Sequence, residues 1–329
     1  MKLDFDPRKN VTKLDYFIMH ISRVNFKQRI HYFSVTRKII RNWVEVIFFR
    51  LGLKKNITII FKSGLVKHFN SDREYFDFFN TRYGQRELLN TTNLKDVIKI
   101  TKKYIIFTWH SKKIKLAYDT SKQLVDTIGL IRGVFFEEDY KWLEVKGKDV
   151  IDIGANIGDT AIYFALKGAR HVYAFEPYPY SYGLAQKNIK ANRLNNKITI
   201  INEGCGGKSS YIRINPNYRN TKGSDLRQYI EGKKIKIVTL NEIIKRFHID
   251  NAILKVDCEG CEYAFLLNAK KKLFENFEQI MIEYHYGYIN LKNKLKKQYS
   301  VMISKPNLIF NSDAENIKML SGIIKAKIG

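Results

Sequence analysis

Between Val150 and Pro177 the sequence leaves the backbone few choices. Residues 149–153 are a short, mainly apolar run with β-branched side chains, the pattern of a strand buried on both faces of a parallel sheet. Gly154 ends that run. Residues 160–167 then place Ile162, Ala165 and Leu166 at helical spacing, and residues 171–175 form a second apolar run with Glu176 at its end. Strand, glycine-rich turn, helix and strand make half of a doubly wound α/β sheet. Ligands of such sheets lie beyond the carboxyl ends of the strands.

The residue types of the turn narrow the ligand. Gly154 and Gly158 let the chain turn tightly and let a ligand come close, and Glu176 is placed to accept both hydroxyls of a ribose. The spacing is Gly-x-x-x-Gly, not the Gly-x-Gly-x-x-Gly of dinucleotide sites. Asp152 stands inside the strand just ahead of the loop. A carboxylate there disfavours a pyrophosphate and suits a cationic ligand that carries an amino acid. The combination points to S-adenosylmethionine rather than NAD. Asp152, Gly154, Ala155, Asn156, Gly158, Glu176 and Pro177 are the expected cofactor residues. The plainer alternative is a βαβ unit with a chance glycine pair and a solvated glutamate, but acid, glycines and acid all fall in register.

The α/β pattern continues. Residues 182–192 read as a helix and 198–201 as a third strand. Glu203 and Gly204 follow where an adenine ring lies in such folds. Residues 211–214 and 235–240 are strand-like around a polar loop, and 240–248 are a short helix. Residues 252–256 are a fourth strand, and 277–282 a fifth that runs into Glu283-Tyr284-His285. A Lys-rich stretch at 291–297 and a strand-like 308–310 complete the chain. Lys255 and Asp257 share one strand face. A buried lysine needs a partner, and Asp257 is the expected one. Asp257 is the candidate general base, with Glu259, Glu262 and Glu283 as neighbouring carboxylates. Glu259 and Glu262 equally suit the start of a helix. His285 reads either as a base or as a structural histidine at a strand end.

These segments resemble the FkbM family of S-adenosylmethionine-dependent methyltransferases. The likeness rests on Val150-Ile151-Asp152-Ile153-Gly154-Ala155-Asn156-Ile157-Gly158, Ala174-Phe175-Glu176-Pro177, Thr239-Leu240-Asn241-Glu242 and Leu254-Lys255-Val256-Asp257-Cys258-Glu259-Gly260-Cys261-Glu262. The last is the most specific. The resemblance implies a class I methyltransferase fold, Rossmann-like and doubly wound with a mostly parallel sheet. It also implies O-methylation of a hydroxyl on a sugar, glycan or other small molecule. Asn241 departs from the family's usual Leu-Asp pair, and Cys258 and Cys261 replace aliphatic or small residues. The Asn/Asp-Pro-Pro-aromatic sequence of amino-methylating enzymes is absent after the fourth strand.

The resemblance spans residues 149–285 of 329. Residues 1–125 are expected to form an N-terminal α+β cap, and 126–329 the methyltransferase domain. In the cap, 34–52 read as an amphipathic helix able to lie on a membrane surface. Residues 56–61 with 65–69, and 104–109 with 113–118, read as hairpins, and 71–89 as a helix. Val134, Phe135, Phe136, Glu137, Glu138, Tyr140 and Trp142 form an aromatic and acidic segment that either closes over the ligand or joins the two parts.

The net charge of +26 suits phosphates, nucleic acid or an anionic membrane surface. RNA ribose 2′-O-methylation and a non-catalytic nucleic-acid-binding module therefore stand as alternatives. With three cysteines, no run of apolar residues long enough to span a bilayer and no apolar leader in residues 1–7, the expectation is a cytoplasmic protein, possible also at a membrane periphery. The Cys258-x-x-Cys261 pair has no second pair or histidine beside it and reads as core packing, so no metal ligands are assigned.

Overall fold

The computed structural model describes residues 37–50, 53–71, 74, 75, 78, 87, 97–215, 231–304, 306–310 and 318–328. The chain divides into two compact units with a break after Phe136; the sequence reading set it after residue 125.

In the first unit, helix α1 (Trp43–Arg50) is followed by strands β1 (Ile57–Ile60) and β2 (Val66–Phe69), an antiparallel hairpin as expected. The helix expected over 34–52 is interrupted: residues 37–39 are helical, and α1 begins again at Trp43. Between them Ile40 bridges Phe61, and Asn42 accepts from the Ile60 N–H at 3.0 Å while donating to the Thr58 carbonyl at 2.8 Å. Backbone pairing with the hairpin edge thus outcompetes the middle turn. Strands β3 (Ile98–Ile100), β4 (Tyr104–Trp109) and β5 (Lys112–Ala117) form an antiparallel sheet. His110 and Ser111 both take positive φ, as a tight two-residue hairpin turn requires. Helix α2 (Ser121–Ile131) begins at an N-cap in which Thr120 accepts from the Gln123 N–H, and it runs into a π-helical turn at Arg132–Phe136. Most of the helix expected over 71–89 lies outside the described residues.

The second unit starts with β6 (Asp149–Ile153), α3 (Asp159–Leu166), β7 (His171–Phe175), α4 (Pro179–Ala191) and β8 (Ile198–Ile201). A small sheet follows, made of β9 (Gly204–Cys205), β10 (Ser210–Ile214) and β11 (Lys233–Val238). Then come α5 (Leu240–Phe247), β12 (Ala252–Val256), α6 (Cys261–Leu267), β13 (Phe277–Tyr284), α7 (Ile289–Leu295), β14 (Tyr299–Ile303), β15 (Asn307–Phe310) and β16 (Lys318–Ile328).

The main sheet has the order β14-β16-β13-β12-β6-β7-β8. The five strands from β13 to β8 run parallel, and β16 is antiparallel to β13 and β14. Every residue of β6 and β12 is buried, so these central strands are covered on both faces. The chain builds the sheet outward from β6 through β7 and β8, then returns to add β12 on the other side of β6. The topological switch therefore lies between β6 and β12, and ligands of such sheets lie beyond the carboxyl ends of the strands at that point. The Thr239-Leu240-Asn241-Glu242 segment is a capping box: Thr239 Oγ1 accepts from the Glu242 N–H, and Glu242 accepts from the Thr239 N–H. Its job is to start α5. Among the described residues no helix is long and apolar enough to cross a membrane.

Candidate active site

The glycine-rich turn closes onto β7. The N–H groups of Gly154 and Ala155 both donate to the Phe175 carbonyl at 3.0 Å. Asn156 at φ +47° turns the chain, and its N–H donates to Glu176 Oε2 at 2.9 Å. Glu176 Oε1 accepts from the Tyr178 N–H at 2.9 Å. Gly158, at φ +79°, caps α3, and a Cβ there would meet Ala185 of α4 at 3.2 Å. Asn188, buried in α4, donates to the Ile157 carbonyl at 2.8 Å and pins the turn from behind. Glu176 is nearly enclosed. Burial outweighs its two backbone donors and pushes its carboxyl up to about 8. Each of its oxygens keeps a lone pair for a further donor.

Asp152 lies within the sheet. It is fully buried, with Oδ2 accepting from Thr160 Oγ1 at 2.6 Å and Oδ1 3.0 Å from Lys255 Nζ. Lys255 also donates to the Gly154 carbonyl at 2.9 Å. Its distance to Asp257 Oδ2 is 4.0 Å. The expected Lys255–Asp257 pair is thus secondary, because parallel register sets Lys255 directly beside Asp152. Burial opposes the ammonium charge of Lys255, but Asp152 and Asp257 overcome it and leave the group above its ordinary value.

Asp257 sits just past β12, with a side chain 27% exposed against 0% for Asp152. Next to it is His285, 3% exposed. His285 Nδ1 lies 3.0 Å from Glu262 Oε1, and Nε2 lies 3.4 Å from Glu259 and 3.8 Å from Asp257. Burial works against the imidazolium, but the hydrogen bond and charge of Glu262, with Glu259 and Asp257, carry its pKa to about 10. His285 is then not a free base at neutral pH. Glu262 also accepts from the N–H groups of Gly260 and His285 at 2.8 and 3.1 Å.

One of the expected residues is engaged elsewhere. Glu203 is paired with Arg246 of α5 at 2.7 Å, so its carboxylate braces that helix. Pro177 and Gly204 pack together: a Cβ at Gly204 would lie 3.5 Å from the Pro177 ring and 2.6 Å from Ile237. Cys258 and Cys261 form a disulfide, which corrects the reading as two packed thiols. Positive φ at Glu259 and Gly260 folds the turn so that their Cα atoms stand 5.4 Å apart, within bonding reach.

Two further groups join the site, one named in the sequence only within a segment and one missed. Tyr140 comes from the aromatic and acidic segment; its ring centre lies 5.9 Å from Lys255 Nζ, and burial, with Asp257 and Glu283 nearby, holds its hydroxyl well above the usual range. Asp159, buried in the first turn of α3, is pushed by that burial to about 7. Neither belongs to a spacing pattern, so only the fold reveals them.

The mostly parallel sheet with its switch point and acidic strand ends is a Rossmann-like α/β fold of the class I methyltransferase type. Residues 152–301 match the family model of the Methyltransferase FkbM domain. Those residues thus form an FkbM methyltransferase domain, of a family that takes S-adenosylmethionine as cofactor. The buried Glu176 carboxylate, with lone pairs free beyond its two backbone donors, fits a ribose-bearing cofactor.

Among curated relatives, the chain is 32% identical over 111 residues to a Methanocaldococcus jannaschii protein assigned to the N5-glutamine methyltransferases, covering 33% of this chain and 52% of that one. It is 46% identical over 55 residues to a ribosomal protein L11 methyltransferase of Carboxydothermus hydrogenoformans, covering 17% and 18%. The chain thus spans about half of the first relative and under a fifth of the second. Similar solved structures include methyltransferase FkbM from Methylobacillus flagellatus, at 17% identity and TM-score 0.36, covering 55% of this chain and 43% of that one. Another is TYW2 of M. jannaschii in complex with AdoMet, at 16% identity and TM-score 0.36, covering 70% and 89%.

Proposed function

We propose that this methyltransferase acts on a hydroxyl of a sugar, glycan or other small molecule, with Asp257 as the general base. The carrying observation is the half-open Asp257 carboxylate at the switch point, behind which Asp152 and Lys255 form a closed, buried pair. Glu176 holds the ribose of the cofactor, and the turn from Gly154 to Gly158 borders it. Gly204 with Pro177 lines the adenine end. Asp152 acts through Lys255 and not by touching the ligand. S-adenosylmethionine supplies a methyl group on a sulfonium sulfur. Asp257 takes the proton of the acceptor hydroxyl. Glu259 and Glu262 hold His285 in place beside it.

A relative assigned to glutamine methylation raises an amide acceptor. Here, however, Asp257-Cys258-Glu259-Gly260 stands where amino-methylating enzymes carry Asn/Asp-Pro-Pro-aromatic, which favours oxygen. The net charge of +26 favours a second reading, ribose 2′-O-methylation of RNA. Transfer of labelled methyl groups to hydroxylated glycans, small molecules and RNA separates the two. Label that enters RNA alone, with a steep loss at rising salt, sinks the small-molecule reading.

A further inference from the structure

Strand register brings Asp257, Glu283 and His285 to one point. In the parallel pair β12–β13, Lys255 lies beside Met281 and Val256 beside Ile282. The next residues along, Asp257 and Glu283, therefore come out side by side at the carboxyl end. His285 follows Glu283 by two residues and returns to the same face. One ligand atom from each of the three lies within 4.8 Å of the others. Donors to one ion at about 2.1 Å stand at most about 4.2 Å apart, so small inward rotations close the set.

The setting of His285 is a separate observation. The side chain is 97% enclosed, at 3% exposure, and Nδ1 is held by Glu262. That bond aims Nε2 at Asp257 and Glu259, whose oxygens stand at 3.8 and 3.4 Å, long for an N–H···O bond. An imidazole held at one nitrogen by a carboxylate, with the other aimed at open carboxylates, is oriented as metal-binding histidines are.

We propose that Asp257, Glu283 and His285 bind one divalent cation, best matched by Mn²⁺, which takes the place of the Nε2 proton of His285 as that proton leaves to solvent. The proposal rests on reading this end of the sheet as the acceptor site. One imidazole nitrogen with two carboxylates and partly open surroundings suits Mn²⁺. Oδ1 of Asp257, which faces His285, is the ligand atom, and Oδ2, which faces Lys255, is left for the proton. The cation offers an open position to the acceptor oxygen and makes its proton easier to remove.

The test is a Mn²⁺ titration of the full chain, followed by the electron paramagnetic resonance of free Mn²⁺, with S-adenosylmethionine binding measured in parallel. One Mn²⁺ per chain is expected, with affinity weakened at least about tenfold in Glu283→Gln. Asp257→Asn is the second variant, since its side chain is 27% exposed and the fold does not depend on enclosing it. No Mn²⁺ bound at millimolar concentration while S-adenosylmethionine still binds, or a Mn²⁺ affinity unchanged from wild type in both variants, overturns the proposal. Loss of both ligands from the wild-type chain overturns it together with that reading.

Discussion

Gly154 and Asp257 compete for one volume: a Cβ on Gly154 would stand 1.7 Å from the Asp257 carbonyl oxygen. The ends of β6 and β12 are drawn together there, because the Asp257 N–H donates to the Ile153 carbonyl at 3.0 Å and Lys255 donates to that of Gly154 at 2.9 Å. The absent side chain makes room for the neighbouring strand. Gly154 also holds φ +78°. Overpacking costs about 1–3 kcal/mol, and a left-handed backbone about 1–2 kcal/mol more. Gly154→Ala is therefore expected to lose about 2–5 kcal/mol in urea unfolding. An unchanged midpoint would show that the strand ends part freely.

Lys255 gives a second stability prediction. It is 1% exposed and spans Asp152 and the β6 carbonyls. Lys255→Met removes the cation and leaves Asp152 enclosed and unpaired, which costs about 3–5 kcal/mol. The double variant Asp152→Asn with Lys255→Met should be more stable than Lys255→Met alone, because no lone charge remains. Thermal melts of the three proteins decide this. A double variant no better than the single one would mean that the pair does not carry the effect.

How much of this was legible in the sequence follows from the range of the interactions. The core strands and their carboxyl ends were readable because parallel strands buried on both faces leave continuous apolar runs, and Glu176 and Asp257 mark their ends. The outer strand β16 was not readable. Its side chains alternate, with Lys325 and Lys327 between buried Ile324 and Ala326, and it is fixed by pairing with both β13 and β14. Partner choice within the site was hidden for a related reason. Residue 255 meets 152 only through register, so the nearest acid in sequence, Asp257, looked like the partner. Glu262 seemed to serve a helix start, and its link to His285 across 23 residues depends on the turn at Gly260.

Glu176 predicts a pH dependence. Its folded-state value of about 8 lies above the ordinary 4.5 of a free glutamate. Between those values the folded chain holds more protons than the unfolded one, so this group lowers the stability of the cofactor-free protein as pH rises through that window. Ribose hydroxyls donate to the ionised form and reverse the preference. Cofactor affinity should therefore climb between pH 6 and 8, by up to about tenfold per unit. In Glu176→Gln the slope should vanish and affinity at pH 8 should fall by about 1.5–3 kcal/mol. Calorimetry across pH checks both. A slope that survives in the variant would assign the titration to another group.

Asp257 carries the strongest prediction for chemistry. A hydroxyl gains acidity as its oxygen bonds to the methyl carbon, so a carboxylate within reach of its proton lowers the barrier. Asp257 projects beyond β12 next to β6, half open, while Asp152 is sealed and His285 is held as a cation by Glu262. Asp257→Asn keeps the shape and removes the acceptor of the proton. The fold and cofactor affinity should persist, because the Asp257 backbone contacts to Ile153 and the buried Lys255–Asp152 pair do not involve its carboxylate. Turnover should fall about 10²–10⁴-fold, the usual worth of a general base. Circular dichroism, cofactor titration and labelled methyl transfer on one preparation separate the outcomes. Normal turnover would remove Asp257 from the role and pass it to another group at the switch point. Lost cofactor binding in a folded variant would move Asp257 into the cofactor site.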